Sequence, residues 1–195
     1  MIHHIPRLGL NAMTPKKIAV FLLIFVLVVY LSERRKTGPL PAPAIEILTE
    51  ELRQTEGIDF SLRDVANQIV ETKELRGAVL LLNFFQTWCP PCRKEMPSLE
   101  ALYQRYKDEG LIVIGIAGDE QGLKVVKPFA EEFAMTFPVL IDSNHHVTDQ
   151  YNVRQIPAVF LLDRQGRLAG KLVGGADWSS EVAYAHIETL LHEHS

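Results

Sequence analysis

The stretch Val79-Leu80-Leu81-Leu82-Asn83-Phe84-Phe85-Gln86-Thr87-Trp88-Cys89-Pro90-Pro91-Cys92 decides the fold. An almost wholly apolar run of strand length precedes a short polar turn, and the pair of cysteines then opens a helix. Two residues between the sulfurs let them pair within one helical turn, and helix amides stabilise the thiolate of the first. Cys89 and Cys92 are the only cysteines in 195 residues. They read as a thiol–disulfide exchange site. Half of a zinc site has the same spacing, but tetrahedral closure needs a second Cys or His pair, and no further Cys exists. A bridge serving structure alone is disfavoured, because closing so short a loop constrains little of the unfolded chain.

Downstream, Val153-Arg154-Gln155-Ile156-Pro157-Ala158-Val159-Phe160-Leu161-Leu162-Asp163 supplies a segment that would hold a substrate cysteine against the exposed sulfur. A proline opening an apolar strand is a recurrent cis-peptide site, and an ordinary trans proline on an edge strand is the competing reading.

With these motifs the chain resembles the thioredoxin-like proteins of the TlpA/ResA/CcmG type, membrane-tethered thiol–disulfide proteins of the bacterial cell envelope. The matching residues are Asn83-Phe84-Phe85-Gln86-Thr87-Trp88-Cys89-Pro90-Pro91-Cys92-Arg93-Lys94-Glu95-Met96-Pro97, then Ile156-Pro157, then Phe160-Leu161-Leu162-Asp163-Arg164-Gln165-Gly166-Arg167-Leu168. The resemblance spans about residues 58–191. It implies an α/β, thioredoxin-like fold with an N-terminal β-hairpin extension and a central αβ insertion, behind an N-terminal membrane anchor. By the same resemblance Cys89 is the attacking thiol, Cys92 the resolving thiol and Pro157 the cis-proline facing them. Trp88, Pro90, Pro91 and Ile156 contact substrate, Ile156 through its backbone. Glu95, one turn after the second cysteine, is the proton carrier for Cys92, against the plainer reading of a solvated helix-surface carboxylate.

One departure from ordinary thioredoxins matters: the position six before the first cysteine, where they bury an aspartate, is Asn83. An amide shuttles no proton, so Asn83 reads as a hydrogen-bonded strand residue and Glu95 is first in line as acid–base group. The dipeptide between the cysteines bears on redox direction. Prolines suit a helix start, yet they remove two N–H donors and leave the amides of Cys92 and Arg93 to stabilise a Cys89 thiolate. Arg93 and Lys94 help little as exposed charges. A poorly stabilised thiolate favours the disulfide, so the pair should be reducing.

Hydrophobic content of 47%, charge of 23% and a net charge of −4 describe a globular chain with no nucleic-acid partner. Residues 18–31 are fourteen consecutive apolar residues between Lys16-Lys17 and Glu33-Arg34-Arg35-Lys36. At about 21 Å this helix is shorter than a roughly 30 Å hydrocarbon core, so a cleaved signal peptide competes with a span. The charged flank decides for an uncleaved anchor. The chain therefore divides into an N-terminal cytoplasmic segment (1–17), a transmembrane signal anchor (18–32), a proline-rich linker (33–57) and a thioredoxin-like domain (58–195). Charge is balanced about the anchor, so orientation follows from chemistry: a disulfide exchanger belongs on the periplasmic side of the bacterial inner membrane.

Elsewhere, residues 58–70 read as an N-terminal hairpin, 111–117 as a buried strand, 125–133 as a helix, 138–141 as a short strand and 178–191 as a closing helix. Leu99, Leu102, Tyr103 and Tyr106 form one packing face beyond Pro97, and Val182, Ala185, Ile187 and Leu190 another. Gly174-Gly175 either gives the backbone room near the sulfurs or makes a simple turn. Asp119 and Glu120 read as a solvated turn, and His145, His146, His186, His192 and His194 as surface residues.

The leading reading is a protein thiol–disulfide oxidoreductase acting as a reductant, with no cofactor beyond its own Cys89–Cys92 disulfide and no metal. Its partners would be disulfide-bearing proteins, by resemblance apocytochrome c or an envelope metalloprotein, and a membrane thiol reductase as electron donor; the protein itself would be a monomer. The alternatives are a thioredoxin-like copper chaperone using Cys89, Cys92 and a histidine such as His145, and an oxidase or isomerase of protein disulfides.

Overall fold

A computed structural model describes residues 15–53 and 56–193, with side chains at all of these but 15 and 32–37. The expected cytoplasmic segment lies almost wholly outside the described residues, as does His194. In chain order the elements are α1 (Pro15–Thr37), β1 (Ser61–Asp64), β2 (Ile69–Glu71), β3 (Val79–Phe85), α2 (Pro90–Tyr106), β4 (Leu111–Ala117), α3 (Leu123–Glu132), β5 (Val139–Ile141), α4 (His146–Gln150), β6 (Ala158–Leu162), β7 (Leu168–Val173) and α5 (Glu181–His192).

The chain forms two compact units, residues 1–39 and 40–195. In the first, α1 carries the whole apolar run, and its side chains from Lys16 to Leu31 are exposed. The expected transmembrane span over 18–32 needs correcting here: among the described residues, no helix is long and apolar enough to cross a membrane. Fourteen apolar residues rise only about 21 Å before charge intervenes on both sides.

In the second unit, seven strands form one sheet in the order β2-β1-β5-β4-β3-β6-β7. Its centre is β3, parallel to β4 and antiparallel to β6. All seven residues of β3 are buried, as befits a strand covered on both faces. Side chains alternate between faces: Val79, Leu81 and Phe85 join Met96, Leu99 and Leu102 of α2 with Ile187 and Leu190 of α5, whereas Leu80, Leu82 and Phe84 join Val147 of α4 and Phe160. Asn83 lies on the side of α2. The hairpin β1–β2 extends the sheet through β5, and α3 with β5 occupies the expected insertion.

Several expectations shift. The compact unit begins at Leu40, so the stretch expected as linker is divided: Ile45 is buried, the Leu48 amide donates to Ala169 at 2.9 Å and Gly57 to Gly166 at 2.7 Å. An extended proline-rich segment with free backbone groups pairs readily along β7. The closing helix starts at Glu181 behind the Ser180 cap, whose hydroxyl accepts from the Ala183 amide. Val182 and Ala185 point outward, while Ala183, Ile187, Leu190 and Leu191 pack inward. Residues 146–150 form the short helix α4, held by Asp142, which accepts from the Val147 and Thr148 amides.

Candidate active site

Strand β3 ends at Phe85 and β6 begins at Ala158, and Phe84 pairs with Ala158 across the ladder. The loop leaving β3 and the segment entering β6 therefore emerge at the same end of these two central strands. The first carries Trp88 and Cys89; the second carries Ile156 and Pro157, joined by a cis peptide bond.

Cys89 is the N-cap of α2, and Pro90 and Pro91 occupy its first turn. Cys89 and Cys92 form a disulfide, with Cα atoms 5.3 Å apart. The Cys92 amide donates to Cys89 Sγ at 3.3 Å. The Arg93 amide donates instead to the Cys89 carbonyl at 3.0 Å. Of the two amides left by the prolines, one thus serves the sulfur. Cys89 is 3% exposed and Cys92 fully buried, so an incoming group meets Cys89 first.

Two glycines bring the cis-proline to this helix. The Gly174 amide donates to the Pro157 carbonyl at 2.8 Å, with φ +105°, a conformation other residues adopt with strain. At Gly175, a Cβ would sit 3.4 Å from the Pro91 carbonyl oxygen. The two expected roles are thus divided: Gly174 makes a turn through its positive φ, with open space around it, and Gly175 gives the backbone room beside Pro91 of the dithiol motif.

Glu95 lies one turn beyond Cys92 on the same helix face and is fully buried. The solvated-surface reading is therefore wrong for it. Burial pushes its carboxyl up to about 8, opposed by the Ala176 amide, Asn83 and Trp178. The Ala176 amide donates to Oε2 at 3.3 Å. Asn83 and Trp178 approach from β3 and from the segment before α5. Neither side chain closes a hydrogen bond, so Asn83, expected as a hydrogen-bonded strand residue, is paired only through its backbone.

Sequence reasoning missed Asp119. It is buried rather than solvated, and its carboxylate accepts from the Thr87 amide at 3.0 Å and from Thr87 Oγ1 at 2.7 Å. It anchors the turn that presents Trp88, which is 67% exposed. Beside Trp88 opens a cavity of about 300 Å³ lined by Gln86, Gly118, His145, Arg154, Gln155 and Ile156. Trp88 and Ile156, both expected to touch substrate, share this wall. Pro90 and Pro91 are exposed at the helix start. His145 is half-buried on the cavity wall, and among the described residues no group of three or more His, Cys, Asp or Glu is placed to hold a metal ion.

The arrangement can accept and return a pair of electrons through sulfur, with a buried carboxyl beneath to take or give a proton. A model of the AhpC/TSA family matches residues 54–171. The thiol-disulfide oxidoreductase ResA of Bacillus cereus (strain ZK / E33L) is 37% identical over 119 residues, 61% of this chain and 68% of the relative. ResA of Geobacillus kaustophilus (strain HTA426) is 36% identical over 132 residues, 68% and 74% of the two chains. Among solved structures, a putative thiol:disulfide interchange protein DsbE from Chlorobium tepidum superposes with a TM-score of 0.66 at 26% identity, covering 70% of this chain and 96% of that one.

Proposed function

The chain belongs to the AhpC/TSA family and is a protein thiol–disulfide oxidoreductase, and from that premise we propose that it works as a reductant of protein disulfides, with Glu95 as the proton carrier of Cys92. The observation that carries this reading is the buried Glu95 carboxyl, one helical turn beneath a disulfide at the start of α2.

The Cys89 thiolate attacks a substrate disulfide. A Cys89–substrate bond forms, the substrate bond breaks, and the released substrate thiolate takes a proton from solvent. Cys92 then passes its thiol proton to the Glu95 carboxylate and attacks Cys89 Sγ. The Cys89–Cys92 bond closes, and the second substrate sulfur leaves as a thiolate. Two electrons have moved from the pair to the substrate. Glu95 ends protonated, which is the state that burial favours below a pH of about 8 in the disulfide form. Reduction by an external dithiol runs the same steps backward, with Glu95 returning its proton to Cys92. The single amide on Cys89 Sγ supports the reducing direction, since a sparsely solvated thiolate makes the dithiol form the less stable one.

Trp88, next to Cys89 in the chain, and Ile156, joined to Pro157 by the cis bond, line the cavity and would hold an extended substrate chain through Ile156. By the resemblance to TlpA/ResA/CcmG-type proteins, the substrates are the cysteine pairs of apocytochrome c or of an envelope metalloprotein. A membrane thiol reductase resupplies electrons to a monomer. The fully exposed apolar run of α1 calls for a nonpolar cover, which supports attachment to the bacterial inner membrane, with the catalytic unit in the periplasm, where disulfides persist.

The test is reduction of an oxidised two-cysteine peptide by the pre-reduced protein under anaerobic conditions. Stoichiometric reduction by the wild type, and none by Cys89→Ser, is expected; equal reduction by both would contradict the reading.

A further inference from the structure

The proton-carrier role asks a buried carboxyl to lose its proton where no cation faces it. The groups that act on Glu95 from the packed elements are all neutral: Asn83 of β3, and the Ala176 amide and Trp178 of the segment before α5. Its titratable neighbours, Cys89 and Cys92, belong to its own helix and are joined in the disulfide. A buried carboxylate survives only if donors surround it.

Asn83, Glu95 and Trp178 are each fully buried. Glu95 Oε1, both polar atoms of the Asn83 amide and Trp178 Nε1 have no hydrogen-bond partner, although Asn83 and Trp178 lie near enough to oppose protonation of the carboxyl. Four unpaired polar atoms converging from three elements are costly in a folded interior, and a state in which the two donors pair with Oε1 would account for three of them. Trp178 can only donate, and Oε1 is the acceptor left open beside it. An amide at position 83 suits both protonation states, because its oxygen accepts from a carboxylic acid and its nitrogen donates to a carboxylate.

We propose that Asn83 and Trp178 are positioning residues which, with the Ala176 amide, form a cradle of neutral donors and close their N–H groups on Glu95 Oε1 when it ionises in the dithiol form. The cradle rests on the reading of Glu95 as proton carrier. Neutral donors stabilise the carboxylate without fixing it, as a buried cation would, so the group stays free to switch with the redox state of the cysteines.

The test follows the full reduced chain by NMR. It holds two tryptophans, and only Trp178 is buried, so its indole N–H resonance is distinct. That resonance should titrate downfield with the midpoint of the Glu95 carboxyl carbon, and should not move in Glu95→Gln. Asn83→Leu and Trp178→Phe, each read at the Glu95 carboxyl carbon, should raise the midpoint by about one pH unit, a tenfold weaker acid. An indole signal that ignores the Glu95 titration, or wild-type midpoints in both variants, would overturn the proposal. The parent reading fails separately: if Glu95→Gln resolves mixed disulfides at the wild-type rate, Glu95 carries no proton for Cys92, whatever the indole does.

Discussion

Thr87 and Asp119, 32 residues apart in sequence, are joined twice: the Thr87 hydroxyl donates to Asp119 Oδ1 at 2.7 Å and its amide to Oδ2 at 3.0 Å. The two bonds hold the turn between β3 and α2, and with it Trp88 and the cap residue Cys89. Asp119→Ala leaves two donors without partners and should cost about 1–3 kcal/mol of stability, read as a lower denaturation midpoint. Disulfide-reduction kcat/KM should fall with it. Asp119→Asn, which keeps an acceptor, should lose less on both counts.

The attacking sulfur is the one that reaches the surface, at 3% exposure against 0% for its partner. Cys92→Ser should therefore accumulate a mixed disulfide through Cys89 with a protein substrate, seen as a reducible adduct on a non-reducing gel. Cys89→Ser should trap none. Equal trapping by both variants would show that α2 does not rank its two thiols.

Glu95 gives the disulfide form a pH dependence of definite sign. Its carboxyl is raised from the ordinary range to about 8, so between those limits the folded state binds the proton and the unfolded state does not. Stability is whole at acid pH and falls as pH rises toward 8, by up to about 1.4 kcal/mol per pH unit. Glu95→Gln should flatten this slope in denaturation titrations, and an unchanged slope would place its cause elsewhere.

Arg53 ties the segment before β1 to the far end of the chain. Its guanidinium donates to the Leu48 carbonyl at 2.7 Å, to Glu193 at 2.8 Å and to Asp163 at 3.4 Å, and it is 3% exposed. Arg53→Leu should cost about 3 kcal/mol, measured by thermal or chemical unfolding. Little of the loss should be recovered or deepened by salt, because the group is shielded from ions.

Local signals carried most of the fold. The apolar run of β3, the prolines at the start of α2 and the proline before β6 each act through their own backbone, so they are legible without tertiary contacts. The dithiol and Glu95 were legible as types, but the depth of Glu95 was not, since only the packing of Ala176 and Trp178 over α2 removes it from water. Asp119 escaped notice because its partner is distant in sequence. A carboxylate after a strand looks the same in a solvated turn and in a buried anchor. The stretch from Leu40 to Arg53 looked like a spacer for a related reason: its attachment is backbone pairing to Ala169, one buried guanidinium and the buried side chain of Ile45 with Ile47 packed against the same core, too short an apolar signal to read as a strand. On α5, Val182 and Ala185 have the same i, i+3 spacing as Ile187 and Leu190, but the two pairs fall on different faces of the helix and only the second is buried.

The most direct test of the reducing role is the equilibrium reduction potential of the Cys89–Cys92 pair in the intact protein, titrated against defined thiol buffers. With one amide on Cys89 Sγ, a value near that of thioredoxin, about −270 mV, is the expected result. A value near about −120 mV, that of a strong oxidant, would contradict it.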